Sequence, residues 1–102
     1  MDLPKYESLD TQVLGVSVDV NGALKAFAEK MGFTYPLLSD FSRDTVKKYG
    51  VMYDDPNSAQ FRMAKRAYFV IDKQGIIRGV IESETDMEVH SREALRIVKE
   101  LA

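Results

Sequence analysis

The sequence of 102 residues contains no cysteine, one histidine and no long apolar run. The missing cysteines exclude disulfides, thiolate metal sites, iron–sulfur clusters and a cysteine nucleophile within these residues. No stretch approaches the roughly 20 apolar residues of a membrane-spanning helix, and residues 1–10 lack the basic and apolar regions of a signal peptide. We therefore expect no membrane association and a cytoplasmic location.

An excess of one charge is also absent, because 14 basic and 16 acidic side chains leave a net charge of −2. Such a balance provides no long-range field that would attract nucleic acid. The composition of 45% apolar and 29% charged residues is ordinary for a globular protein and too apolar for a disordered one. The length predicts one domain, which we assign to residues 1–102.

The spacing of apolar residues predicts helices and strands in the first third of the chain. Residues 1–10 predict a short helix or the end of one, and residues 12–18 predict a parallel strand that is covered on both faces. A helix capped by Asn21 and ended by Gly32 follows. Its apolar positions have helical spacing and are Leu24, Phe27, Ala28 and Met31.

Shorter elements are expected next, followed by a hairpin and a last helix. Residues 36–39 predict a short strand, and Ser42 is the expected cap of a short helix that stops at Gly50. A hairpin of residues 66–81 turns at Gly75, which supplies a positive φ. The sequence also predicts a turn-rich loop at 51–64 and a final helix capped by Ser91. The apolar side of this helix is formed by Ala94, Leu95, Ile97, Val98 and Leu101.

Five segments of the chain together resemble a known family. They are residues 13–19, 27–30, 36–40, 49–51 and 66–72 with 75–78. In this order and at this spacing they resemble the central and C-terminal part of a peroxiredoxin, of the alkyl hydroperoxide reductase and thiol-specific antioxidant family. The resemblance implies an α/β, thioredoxin-like fold of three layers. It also implies that the fold is incomplete, because the first βα unit and its central strand have no counterpart here.

The family's reactive cysteine lies upstream of these segments, in a Pro-x-x-x-Thr-x-x-Cys motif at the start of a helix. This chain has no such motif, and residues 1–10 resemble the tail of that helix. Peroxide reduction needs a thiolate that attacks the O–O bond, and neither serine nor threonine substitutes for it at neutral pH. We therefore predict that this chain alone is not a thiol peroxidase.

Arg66 matches the arginine that peroxiredoxins place beside the cysteine. The resemblance implies that its charged fork stabilises the thiolate and hydrogen-bonds the peroxide oxygens. The alternative is a solvated arginine at the end of a strand, or one of a pair with Lys65. For the completed protein the resemblance implies hydrogen peroxide or an alkyl hydroperoxide as substrate, a thioredoxin-type reductant, and a homodimer or strand-sharing oligomer.

Other polar and aromatic residues predict no second site. His90 is expected to cap the last helix or to be exposed, rather than to ligate a metal or to serve a Ser-His-Asp triad. Asp54 and Asp55 indicate a turn. The scattered glycines hold no phosphate-binding motif, so no cofactor is expected. Core or partner contacts are expected for Phe41, Tyr53 and Phe61, and a solvated acidic loop for Glu82, Glu84, Asp86 and Glu88.

The absent central strand predicts a gap in the sheet. Buried amides without partners cost about 1–3 kcal/mol each, so the strands must pair directly, borrow a strand from a partner, or join a separate N-terminal piece. The sequence therefore supports two hypotheses. One is an incomplete peroxiredoxin, and the other is a cysteine-free thioredoxin-like interaction module without catalytic activity.

Overall fold

The computed structural model describes residues 3–82 and 87–102. Within this part of the chain, no helix is long and apolar enough to cross a membrane. The chain groups into two compact units: residues 13–65, the parallel unit, and residues 1–12 with 66–102, the hairpin unit. The elements in chain order are α1 (Leu3–Ser8), β1 (Gly15–Ser17), α2 (Asn21–Met31), β2 (Leu37–Ser39), α3 (Asp44–Lys48), β3 (Ala67–Ile71), β4 (Ile77–Glu82) and α4 (Met87–Leu101).

The parallel unit contains a two-stranded sheet in which β1 runs parallel to β2, with Val16 opposite Leu38. The strand predicted at residues 12–18 is therefore present but shorter than expected. The prediction that it is covered on both faces is wrong, because Val16 and Leu38 are each 47% exposed. The helix that packs against β2 in this unit is α2, and one helix covers only one face of a sheet.

The helix α2 ends as the sequence predicts, with Gly32 in the left-handed region at a φ of 71°. Its start differs from the prediction, because Val20 takes the N-cap position and makes no side-chain cap bond. The Leu24 amide donates to the Val20 carbonyl at 3.1 Å, which places Asn21 inside the first turn. Leu24 is buried, whereas Phe27 and Met31 on the predicted apolar face are about half exposed.

The short helix α3 is capped by an aspartate rather than by the expected serine. Asp40 is 7% exposed, and its carboxylate accepts hydrogen bonds from the amides of Thr45 at 3.1 Å and Val46 at 2.8 Å. The Ser42 hydroxyl accepts only a 3.4 Å bond from the Asp44 amide. The prediction of Ser42 as the cap is therefore wrong. The charged carboxylate of Asp40 offers two acceptor oxygens to the amides of the first turn, whereas the serine hydroxyl offers one oxygen, which is a weaker acceptor.

The hairpin unit contains the predicted antiparallel pair of β3 and β4, and Gly75 has the expected positive φ, at 82°. The turn is fixed by the Asp72 carboxylate. Its Oδ1 accepts hydrogen bonds from the amides of Gln74 and Ile76, both at 2.9 Å. Its Oδ2 accepts a hydrogen bond from the guanidinium of Arg78 at 2.7 Å. One aspartate thus joins the turn to β4.

We expect the turn at Asp72 to lose stability in acid. The Ile76 amide, then the Arg78 guanidinium and the Gln74 amide hold the pKa of this carboxyl below its ordinary value of 3.8. A lowered pKa in the folded state stabilises the hairpin above pH 3.8, and this stabilisation disappears as the pH falls through the folded-state pKa. Amide hydrogen exchange of β3 and β4 against pH measures this loss. Asp72→Asn is expected to weaken protection at neutral pH and to remove this part of the acid response. An unchanged response in Asp72→Asn would contradict the assignment.

The final helix α4 packs on β3 and β4, with Ala94 and Val98 buried. It begins at Met87, so Ser91 lies inside the helix. The Ser91 carbonyl accepts a 2.6 Å hydrogen bond from the buried Tyr6 hydroxyl, which joins α1 to α4. The prediction that Ser91 caps this helix is therefore wrong, because the helix starts a full turn earlier.

Gly79 of β4 lies close beneath α4. A Cβ built at this position would stand 2.5 Å from Cδ1 of Ile97. Gly79→Ala is expected to lower the free energy of unfolding by about 1–3 kcal/mol, because Ile97 must leave its position in a packed interface. Urea unfolding measures the change. Ile97→Val removes the obstructing methyl group, so the double variant is expected to recover most of the loss. Gly22→Ala is the control, because nothing lies within 4 Å of a Cβ at that position.

Candidate functional site

Arg66 lies directly before β3 in the hairpin unit, and its side chain is exposed. Among the residues that the structure describes, none forms a hydrogen bond or an ion pair with its guanidinium. The next residue, Ala67, is already paired with Glu82 in the sheet. The backbone that follows Arg66 is thus fixed by a paired strand, and no described residue accepts a hydrogen bond from the five N–H donors of its guanidinium.

Such a guanidinium suits the chemistry that the family resemblance implies for it. A permanently charged planar fork binds oxygens in pairs and stabilises a nearby thiolate. Lys65, the alternative partner, contacts groups of the parallel unit. Its amide donates to the Val51 carbonyl at 2.7 Å, and its ammonium lies 5.7 Å from the centre of the Tyr53 ring. The role of Arg66 stays a prediction.

The structure contradicts the sequence prediction for His90. Its side chain is fully buried in α4, and its ring packs edge-on against Tyr68 with the centroids 5.5 Å apart. Neither ring nitrogen has a hydrogen-bond partner among the described residues. His90 is neither a cap nor exposed, because α4 extends to Met87 and carries position 90 into its buried side. The spacing of His90, Ala94 and Val98, four residues apart, is the signal that could have shown this.

The structure describes only some of the acidic residues between positions 82 and 88. Glu84 and Asp86 lie outside the described residues, as does the side chain of Glu88. Glu82 is the exposed last residue of β4. Within the described part of the chain, no group of three or more histidine, aspartate or glutamate residues could hold a metal ion.

The loop between α3 and β3 contains the turn that its aspartates predict. The Asp55 carboxylate accepts the Asn57 amide at 2.9 Å, and the Asp55 carbonyl accepts the Ser58 amide at 3.0 Å. The loop closes on itself, since Tyr53 exchanges backbone hydrogen bonds with Arg62 and Met63. A shallow cavity of about 170 Å³ lies beside it, lined by Lys47, Gly50, Met52, Asp54 and Lys65.

The aromatic residues near these loops are more exposed than core residues. Phe41 is 60% exposed and Phe61 is 42% exposed, whereas Tyr53 is partly buried. The Arg43 guanidinium lies 5.3 Å from the centre of the Phe41 ring and also donates to the Phe41 carbonyl at 2.6 Å. Core packing is therefore excluded for Phe41 and Phe61, and partner contact stays a prediction for both.

Comparison with known proteins gives a consistent result. A family model described as the AhpC/TSA family matches residues 2–80. The chloroplastic peroxiredoxin Q of Triticum aestivum is 31% identical over 97 residues, which are 95% of this chain and 43% of that protein. The alkyl hydroperoxide reductase E of Mycobacterium tuberculosis is 40% identical over 78 residues, which are 74% of this chain and 48% of that protein.

A solved structure extends the likeness to the fold. The crystal structure of peroxidoxin BcpB from Mycobacterium tuberculosis matches with a TM-score of 0.85 and 30% identity, over 98% of this chain and 64% of that one. This match confirms the predicted thioredoxin-like α/β fold, and the partial coverage agrees with the expectation that the fold is incomplete. The chain spans about half the length of the curated relatives that it matches. Because the family model covers most of the sequence, the chain belongs to the AhpC/TSA family, the family of the peroxiredoxins.

Proposed function

We propose that this chain is the C-terminal portion of a peroxiredoxin-like thiol peroxidase and that it is inactive alone. In the completed protein it supplies Arg66, and a cysteine-bearing segment supplies the nucleophile. The observation that carries the proposal is an exposed guanidinium without a described partner, in a family member whose 102 residues contain no cysteine. The truncation itself is part of the proposal.

The proposed reaction follows from the chemistry of a thiolate beside an arginine. The positive charge favours the thiolate form of the cysteine, which is the nucleophile. Its sulfur attacks one peroxide oxygen, an S–O bond forms and the O–O bond breaks, and the departing oxygen takes up a proton as water or an alcohol. The Arg66 fork donates hydrogen bonds to these oxygens while negative charge develops on them. A thioredoxin-type thiol then reduces the sulfenic acid.

The relatives support this reaction class. One of them is named for the reduction of alkyl hydroperoxides, and it is 40% identical over the matched residues. Hydrogen peroxide or an alkyl hydroperoxide is therefore the proposed substrate. Self-association, as a homodimer or by strand sharing, is proposed from the two-stranded sheet of β1 and β2. Among the described residues neither strand pairs with a third one, and an unpaired strand edge invites pairing with another chain.

A fusion experiment tests the proposal. The chain is joined behind the N-terminal half of wheat peroxiredoxin Q, engineered to carry the Pro-x-x-x-Thr-x-x-Cys motif and no other cysteine. The fusion is expected to consume peroxide with a thioredoxin system, and the unfused chain is expected to consume none. The control is the same fusion with serine in place of the cysteine, which is expected to be inactive. A folded fusion without activity would contradict the proposal and favour a cysteine-free interaction module.

A second observation separates the two hypotheses without an assay. The coding DNA upstream of this chain is read for an in-frame Pro-x-x-x-Thr-x-x-Cys segment. An in-frame segment supports the peroxidase. If that region holds no such frame and no companion chain carries the motif, the interaction module is the better account, and the exposed Phe41 and Phe61 become its first candidate contacts.

A further inference from the structure

Asn21 and Gly22, at the start of α2, are the chain's one asparagine–glycine pair. Both residues are exposed. The Asn21 carboxamide forms no hydrogen bond with any described residue, so no such bond holds it in one orientation. An asparagine side chain in this position is free to approach the backbone that follows it.

The amide of Gly22 likewise donates no hydrogen bond to any residue in the described part of the chain. The first backbone hydrogen bond of α2 runs from the Leu24 amide to the Val20 carbonyl at 3.1 Å, so the amides before Leu24 have no helical acceptor. Nothing lies within 4 Å of the place where a Cβ of Gly22 would stand. A glycine here also lets the backbone reach conformations that other residues avoid.

The first turn of α2 is not held closed by a side chain. Val20 occupies the N-cap position, and its apolar side chain cannot accept a hydrogen bond from the amides of the turn, unlike the side chain of serine, threonine or aspartate. An uncapped turn opens more readily than a capped one. Opening brings the Gly22 nitrogen within reach of the Asn21 side chain.

We propose that Asn21 is a site of spontaneous deamidation. The deprotonated nitrogen of Gly22 attacks Cγ of Asn21, a new C–N bond forms, and the side-chain nitrogen leaves as ammonia. The product is a five-membered succinimide. Water opens this ring at either carbonyl and leaves aspartate or isoaspartate at position 21. One water is consumed and one ammonia is released, with no change of oxidation state.

The two products act differently on α2. Aspartate places a carboxylate in a first turn that has no acidic residue, where it interacts favourably with the positive end of the helix. Isoaspartate routes the main chain through the former side chain and adds a methylene group to it. The helix then cannot begin at Asn21, and the connection from β1, which ends at Ser17, is altered.

The second asparagine is an internal control. Asn57 is also exposed, but serine follows it. The Ser58 amide donates to the Asp55 carbonyl at 3.0 Å, so the nitrogen that would attack is already engaged. The backbone amide of Asn57 is held as well, by the Asp55 carboxylate at 2.9 Å. Asn57 is therefore expected to react more slowly than Asn21.

Peptide mapping by mass spectrometry tests the proposal. The purified chain is kept for several days at mildly alkaline pH and physiological temperature, and the gain of one mass unit is followed at each asparagine. Asn21 is expected to deamidate on the order of tenfold faster than Asn57, a barrier difference of about 1.4 kcal/mol. Equal rates at the two asparagines would overturn the proposal.

Two variants separate the contributions of the dipeptide and of the helix start. Gly22→Ala is expected to slow the reaction at Asn21, because its Cβ obstructs the attack. An unchanged rate in Gly22→Ala would refute the succinimide route. Val20→Ser leaves the dipeptide intact and supplies a cap, so it is expected to slow the reaction relative to Val20→Ala, which supplies none. Equal rates in these two variants would contradict the part assigned to the uncapped turn.

Discussion

Replacing Arg66 by alanine in the cysteine-bearing fusion is expected to lower kcat/KM for peroxide by about 10²- to 10³-fold. This is the usual loss when one donor to a developing negative charge is removed. Because the guanidinium is exposed and has no described partner, its removal is not expected to change the free energy of unfolding by more than about 0.5 kcal/mol. Peroxide consumption at subsaturating peroxide measures the first effect, and urea unfolding of the same sample measures the second.

A matched control uses a second exposed arginine. Arg92 on α4 has no hydrogen bond or ion pair with the described residues, and Arg92→Ala removes the same charge. This variant is expected to keep the activity of the fusion within about twofold, since an exposed charge away from a site contributes little. Arg66→Lys keeps the charge but loses the planar fork, so an intermediate activity is expected. Equal losses in Arg66→Ala and Arg92→Ala would show that Arg66 has no special role.

Asp40→Ala is expected to lower the free energy of unfolding of the parallel unit by about 2–3 kcal/mol. The change leaves the amides of Thr45 and Val46 without acceptors at the start of α3. An orphaned buried donor costs about 1–3 kcal/mol, and loss of a helix cap costs about 0.5–2 kcal/mol. The backbone bond from the Asp40 amide to the Ser17 carbonyl, 2.6 Å long, remains. Amide hydrogen exchange in α3 measures the loss locally.

The contributions of the two carboxylate oxygens of Asp40 can be measured separately. Asp40→Asn keeps one acceptor and replaces the other by a donor, so its loss is expected to match that of the alanine variant or to exceed it if the new NH₂ faces the helix amides. Asp44→Ala is the control, because Asp44 is exposed at the start of the same helix. That variant is expected to lose no more than about 1 kcal/mol. A larger loss in Asp44→Ala than in Asp40→Ala would contradict the assignment of the cap.

The features predicted correctly from the sequence depend on neighbouring residues. Gly32 and Gly75 mark a helix end and a hairpin turn, and each has the positive φ that glycine adopts without a steric penalty. A short turn joins the two strands of the hairpin, so their pairing needs little information from the rest of the chain. Local chemistry therefore predicted the order and kind of nearly all elements.

The wrong predictions concern residues whose surroundings come from distant parts of the chain. Asp40, and not Ser42, caps α3. The burial of Asp40 depends on packing that the spacing of residues in the sequence does not reveal. His90 is buried because α4 begins earlier than its polar first turn suggested, and Tyr68 from another element covers the ring. The exposure of Val16 depends on which face of β1 a helix covers.

The candidate site was predicted on different grounds. Residue type and spacing alone describe Arg66 as a solvated arginine before a strand, and its exposure fits that description as well as it fits a site. Its assignment came from the resemblance to a family. Comparison with known proteins shows that the chain belongs to this family, and the role of Arg66 stays a prediction.

Peroxide consumption by a two-component mixture tests the central claim most directly. The chain and a separate cysteine-bearing segment of wheat peroxiredoxin Q are assayed alone and together with a thioredoxin system, after gel filtration has shown whether they form one complex. The account predicts no turnover by the chain, a single larger complex in the mixture, and turnover that depends on both the cysteine and Arg66. Turnover by the chain alone, or a complex whose turnover does not depend on Arg66, would contradict it.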